Sequence, residues 1–131
     1  MKYRITVYWI LTVIFAAMML FSSILYLSHQ PPIVQAFHRL GYPDYLLGIL
    51  GTAKIIGVIS LIQTKFSLLK EWAYAGFTIN LVAASWSHLA VGESIVMPLI
   101  LFLVLAGSYI FRKQISEIAD EKAGNTLHRF A

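Results

Sequence analysis

The stretch Tyr45-Leu46-Leu47-Gly48-Ile49-Leu50-Gly51-Thr52-Ala53-Lys54-Ile55-Ile56-Gly57-Val58-Ile59-Ser60-Leu61-Ile62 decides the fold. Its one charge, Lys54, stands near the middle. At about 1.5 Å per residue, a helix of this length covers most of a hydrocarbon core about 30 Å thick. Residues 5–27, 72–90 and 95–111 read the same way. Inside a bilayer the backbone has no water to bond, so each run must satisfy its own amides and carbonyls as a helix. The expected fold is all-α. It is a polytopic membrane protein with four transmembrane helices in an antiparallel bundle, forming one domain over residues 1–131.

Composition agrees. Of 131 residues, 59% are hydrophobic and only 12% are charged, against about 25% charged in a soluble domain. A chain this small leaves much of its surface exposed and cannot hide so much apolar area in water. An ordinary soluble enzyme, a disordered tail and a nucleic-acid-binding domain are excluded. The chain has no cysteine. It therefore forms no disulfide, thiolate zinc site or iron–sulfur cluster by itself.

The net charge of +4 matters less than its placement. Lys2, Arg4, Lys65, Lys70, Arg112, Lys113, Lys122 and Arg129 fall on one side of the expected spans, and Arg39 alone on the other. The positive-inside rule then puts both termini, and the tail 112–131, in the cytoplasm. Lys2 and Arg4 precede an apolar run too long for a typical signal-peptide core, so 5–27 is read as a retained span.

On the outer side, Pro31-Pro32 stops the first helix. Ile33, Val34, Phe37 and Leu40 recur at helical spacing, which predicts a short interfacial helix ended by Gly41. Asp44, Ser67 and Ser94 are the expected N-caps of the second, third and fourth spans, and Pro98 falls in the fourth span's first turn. Ile115, Ile118 and Ala119 extend the last helix into the tail, with Gly124-Asn125 as its expected stop.

Lys54 is the most informative polar residue. A lysine at mid-bilayer costs about 2.5–3.5 kcal/mol on insertion scales, so it should face the bundle and not lipid. Gly51 and Gly57 fall about 60° to either side of it and permit close helix approach. No carboxylate lies within a span to pair with it. Asn80, at matching depth in the antiparallel third span, is the expected partner. His88, with Ser85, Trp86 and Ser87 around it, stands near the outer end of that span, and Glu71 at its inner end. Lys54, Asn80, His88, Glu71 and Ser85 are the candidate pocket residues. The histidines show no metal-ligand spacing, so no metal site is expected. No complete acid–base or nucleophile set is visible, and no catalytic residue is assigned.

The run Gly41-Tyr42-Pro43, then Lys54-Ile55-Ile56-Gly57, then Lys70-Glu71-Trp72-Ala73-Tyr74-Ala75-Gly76-Phe77, with Ala84 and His88 after it, resembles the DoxX-like family of small four-helix bacterial membrane proteins. The resemblance implies a multi-pass protein of the bacterial cytoplasmic (inner) membrane. The family's founding relative is a membrane subunit of a thiosulfate:quinone oxidoreductase, so it also implies an accessory place in a redox complex. No settled catalytic residues come with it. The expected function is an accessory subunit with a quinone or lipid pocket near Lys54, Asn80 and His88. Its partners would be the lipid bilayer, a redox-complex protein or further copies of itself, and no nucleic acid. The alternatives are an assembly factor for another membrane protein and a small oligomeric transporter.

Overall fold

Each helix boundary in the computed structural model, which describes residues 2–130, has a local cause. The helices are α1 (Lys2–Leu27), α2 (Pro31–Arg39), α3 (Tyr45–Ile62), α4 (Ser67–Ala90) and α5 (Val96–Phe130), with no strand among the described residues. α2 begins with Pro31 and Pro32 in its first two positions, where the missing N–H groups have no helical partner to lose. It ends where Gly41 adopts φ +83°. Gly41 N–H then donates to His38 O, and Tyr42 N–H reaches back to Phe37 O at 2.9 Å. Gly92, at φ +76°, closes α4 by the same pattern, with Glu93 N–H donating to His88 O at 2.8 Å.

Several boundaries differ from the sequence reading. α1 starts at Lys2 and α4 at Ser67, ahead of the apolar runs, because nothing in the flanking polar residues breaks the amide ladder. Gly124-Asn125 does not stop α5, which continues to Phe130. A helical glycine costs about 1 kcal/mol relative to alanine but removes no hydrogen bond, unlike proline. Asp44 occupies the N-cap position of α3 without capping it. Its carboxylate is taken by His38 Nε2 at 2.5 Å. Ser67 lies inside α4, and Gln63 secures the preceding turn by accepting from Lys65 N–H and Phe66 N–H. Ser94 Oγ does accept from Val96 N–H, at 3.3 Å.

The four long helices close a ring: α1 touches α3 and α5, and α4 touches the same two. Phe15, Met19, Val58, Leu61, Phe77, Leu81, Leu101 and Leu105 fill its centre. Phe15 meets Phe77 edge-on at 5.0 Å across the ring. The glycines beside Lys54 mark two close approaches. A Cβ on Gly51 would lie 2.8 Å from Leu27 Cγ of α1, and one on Gly57 would lie 2.7 Å from Phe77 Cζ of α4.

The outside is apolar. Ile10, Phe21, Ile49, Ile56, Ile79, Trp86 and Leu103 are each more than half exposed, which suits lipid and not water. α1, α3 and α5 are long and apolar enough to cross a membrane. α4 has the length, 24 residues, but falls short in hydropathy because it carries Lys70, Glu71, Asn80 and His88. The chain is thus an all-α membrane protein with five helices among the described residues. Three of them qualify as spans by length and composition alone.

Candidate functional site

Polar residues inside an apolar bundle must find partners, and here they form three groups. The first surrounds Lys54, which is only 6% exposed. Its ammonium donates to Ser22 Oγ at 2.9 Å and sits 3.8 Å from the centroid of the Tyr26 ring. Both partners belong to α1. Beside them Ser23 Oγ donates to Gly51 O at 2.6 Å, bonding to a carbonyl left accessible by the missing glycine side chain. No hydrogen bond joins Lys54 to Asn80, which is half-buried. The nearer hydroxyl and ring of α1 hold the ammonium, since α1 packs directly along the Gly51 side of α3.

The second group lies nearer the start of α1. Ser108 Oγ bonds Thr12 Oγ1 at 2.6 Å and Tyr74 OH at 2.7 Å, tying α5 to α1 and α4. Thr12 and Ser108 are fully buried. At the same end Lys70 Nζ donates to Tyr8 OH at 2.7 Å. No polar role is assigned to Tyr74, Tyr8 or Thr12 from the sequence alone. The available signal was a hydroxyl in an apolar run, which needs a partner in a dry interior. This end is completed by Glu71. Its carboxylate accepts from Arg112, which also donates to Ser67 Oγ at 2.8 Å, and from Tyr109 OH at 3.3 Å, with Lys113 Nζ 3.5 Å away. Arg4 donates to Gln114 at 3.2 Å, bringing the start of α1 beside the polar continuation of α5.

The third group lies at the opposite end. Glu93 accepts from His88 Nδ1 at 2.8 Å and from Arg39 Nε at 3.1 Å, linking α2 to the turn after α4. The bond to His88, and then that to Arg39, hold the Glu93 carboxyl below its ordinary range. An aromatic chain runs from Tyr26 to Phe37 (5.2 Å between centroids) and on to Tyr42 (5.8 Å), whose hydroxyl bonds Ser87 of α4. Among the described residues, no three His, Asp or Glu side chains converge as a metal site.

Space for a ligand lies elsewhere, along the α4/α5 seam. One cavity of about 560 Å³ is bounded by Leu81, Ser85, Trp86, Leu89, Leu99 and Phe102, and its wall is almost wholly apolar. A second, of about 470 Å³, is bounded by Glu71, Tyr74, Thr78, Ala75, Ala106 and Phe102. Phe102 is common to both, so the two lie end to end along the α4/α5 furrow. Both volumes fall in the range of about 300–1,000 Å³ usual for ligand sites. The five candidate residues therefore separate. Ser85 lines the apolar stretch and Glu71 the polar-ended one, whereas Lys54, Asn80 and His88 line neither.

A helical membrane protein with this layout is matched by the model of the DoxX-like family over residues 10–108. The chain belongs to that family. No curated protein and no solved structure matches it.

Proposed function

We propose that this protein is a non-catalytic, accessory subunit of a redox complex in the bacterial cytoplasmic membrane, crossing four times with both termini in the cytoplasm. The fourth crossing is α4. It packs between α3 and α5 in the ring, and its cross-bonds to α5 run in antiparallel register, Glu71 with Arg112 and Tyr74 with Ser108. The excess of Lys and Arg at the Lys70 end supports a cytoplasmic assignment for that end. The observation that carries the reading is the α4/α5 furrow. It offers an apolar, elongated site on the lipid-facing side of the bundle, suited to a quinone or a lipid chain. The Lys54 group then serves as an internal fastening of α1 to α3 and not as the ligand's anchor.

Native mass spectrometry of the protein, extracted from its own membranes in mild detergent, tests this. A retained quinone- or lipid-sized mass, or a co-purified redox subunit, is the expected result. A bare chain would overturn it. An assembly role is favoured by a different observation. α5 runs far past the apolar region and leaves Leu127 (72%) and Phe130 (86%) exposed, a surface for another protein. One defined partner with no small ligand would support that second reading.

A further inference from the structure

We propose that the occupant of the α4/α5 furrow is an anionic phospholipid, one acyl chain lying along Ala75, Ile79, Phe102 and Ala106 with its phosphate at Lys113. This rests on the reading of the furrow as a ligand site and names the chemistry of the ligand.

The furrow has two unlike ends. At the Glu71 end, Lys2, Arg4, Lys65, Lys70, Arg112, Lys113, Lys122 and Arg129 stand against Glu71 and, farther along α5, Glu117, Asp120 and Glu121. At the other end, Arg39 stands against Asp44 and Glu93. A neutral head group gains little from such an imbalance. An anionic one is drawn to the basic end, because each surface Lys or Arg attracts acidic lipid. Within the basic end the cations are not equivalent. Arg112 is committed to Glu71 and Ser67, and its side chain is 16% exposed. Lys70 is buried on Tyr8. Lys113 is shared between Glu71 at 3.5 Å and the Tyr109 ring, yet its side chain stays 49% exposed, so of Lys70, Arg112 and Lys113 it is the one with surface left to meet a phosphate.

The walls suit a chain. Ala75 on α4 and Ala106 on α5 are small and leave the space that larger side chains would close. Beyond Phe102 the wall is almost wholly apolar from Leu81 to Leu89, with Ser85 as its one hydroxyl, which suits the distal part of a chain. The polar end thus meets the head group and the apolar end meets the tail, in the order that a lipid lying along the bilayer normal presents them.

The test uses the full chain, purified in neutral detergent and stripped of lipid. It is titrated separately with phosphatidylglycerol, with phosphatidylcholine of the same chains, and with a short-tailed ubiquinone, and bound masses are counted by native mass spectrometry. One phosphatidylglycerol should survive activation that strips phosphatidylcholine. Ala106→Phe and Ala75→Phe, which fill the furrow from opposite helices, should each weaken it about tenfold. Lys113→Gln should reduce the preference for phosphatidylglycerol over phosphatidylcholine about fivefold. Circular dichroism checks that each variant is folded, and Ala75, already exposed, should accept the change even where Ala106 does not. Retention of ubiquinone in place of phospholipid, lost in the same variants, would overturn the phospholipid assignment and leave the furrow as the ligand site. Binding that ignores both filling variants would remove the furrow itself.

Discussion

The Lys54 ammonium of α3 lies 3.8 Å from the ring centroid of Tyr26 on α1, with Ser22 Oγ as its hydrogen-bond acceptor at 2.9 Å. A cation this deep is held by a ring face and a hydroxyl, with no counter-ion among the described residues. A desolvated cation–π contact is worth about 2 kcal/mol, so Tyr26→Leu should destabilise the protein by about that amount. Lys54→Met removes the charge that needs the ring, and the protein should still insert. In that background the cost of Tyr26→Leu should fall by half or more, leaving the Phe37 contact as the remainder. A double-mutant cycle by unfolding in detergent measures this. Strict additivity would dissociate Lys54 from Tyr26 energetically.

Ser108 is the junction of three helices. Ser108→Ala leaves the buried Thr12 and Tyr74 hydroxyls each without the partner they have now. An unsatisfied buried hydroxyl costs about 1–3 kcal/mol, so the variant should unfold at visibly lower denaturant. Ser60→Ala serves as the control, since the Ser60 hydroxyl bonds only Ile56 O of its own helix. Equal stability of the two variants would contradict a three-helix junction.

Two glycines of α3 should respond in opposite ways to alanine. Gly57→Ala sets a methyl 2.7 Å from Phe77 Cζ and forces that ring, which is packed on Phe15, to move. Overpacking of this kind costs about 1–3 kcal/mol. Gly48 has nothing within 4 Å of the added carbon, and Gly48→Ala should gain up to about 1 kcal/mol from helix propensity. Thermal unfolding of the pair decides it. A loss at Gly48 equal to that at Gly57 would refute the packing assignment.

The Arg39–Glu93–His88 contact should be sensitive to acid. Glu93 has its carboxyl held below the ordinary value of 4.5 by His88 and Arg39. A depressed carboxyl contributes stability that is present above the ordinary pKa and is lost as pH falls through the folded value. Protection of α2 amides against hydrogen exchange should therefore drop as pH falls below about 4.5. Glu93→Gln should show the weakened protection already at neutral pH and little further change on acidification. Unaltered α2 protection in that variant would show that Phe37 and Tyr42 alone hold the helix.

How far the sequence reached is visible in particular residues. Gly51 and Gly57 flanking Lys54 are legible because helical spacing fixes their angles, and both mark close helix approaches. The short helix α2 is legible because prolines and Gly41 bracket an apolar repeat. The partner of Lys54 is not legible. Depth along the bilayer favours Asn80, but contact depends on which neighbour faces Lys54, and that neighbour is α1. Gly124 misleads because a stop signal is a local preference of about 1 kcal/mol that a continuing helix outweighs.

Apolar runs, proline positions and charge placement by themselves determined that this chain is helical and belongs in a membrane, because those properties act residue by residue against lipid and water. Only the tertiary structure decided that Ser108 joins Thr12 and Tyr74, that Ser85 and Glu71 line a furrow while Lys54 does not, and that Lys113 is the more exposed of the two cations paired with Glu71. Those facts depend on the rotation of one helix against another. That rotation is set by the packing of Phe15, Phe77, Leu101 and their neighbours acting together, and no single segment encodes it.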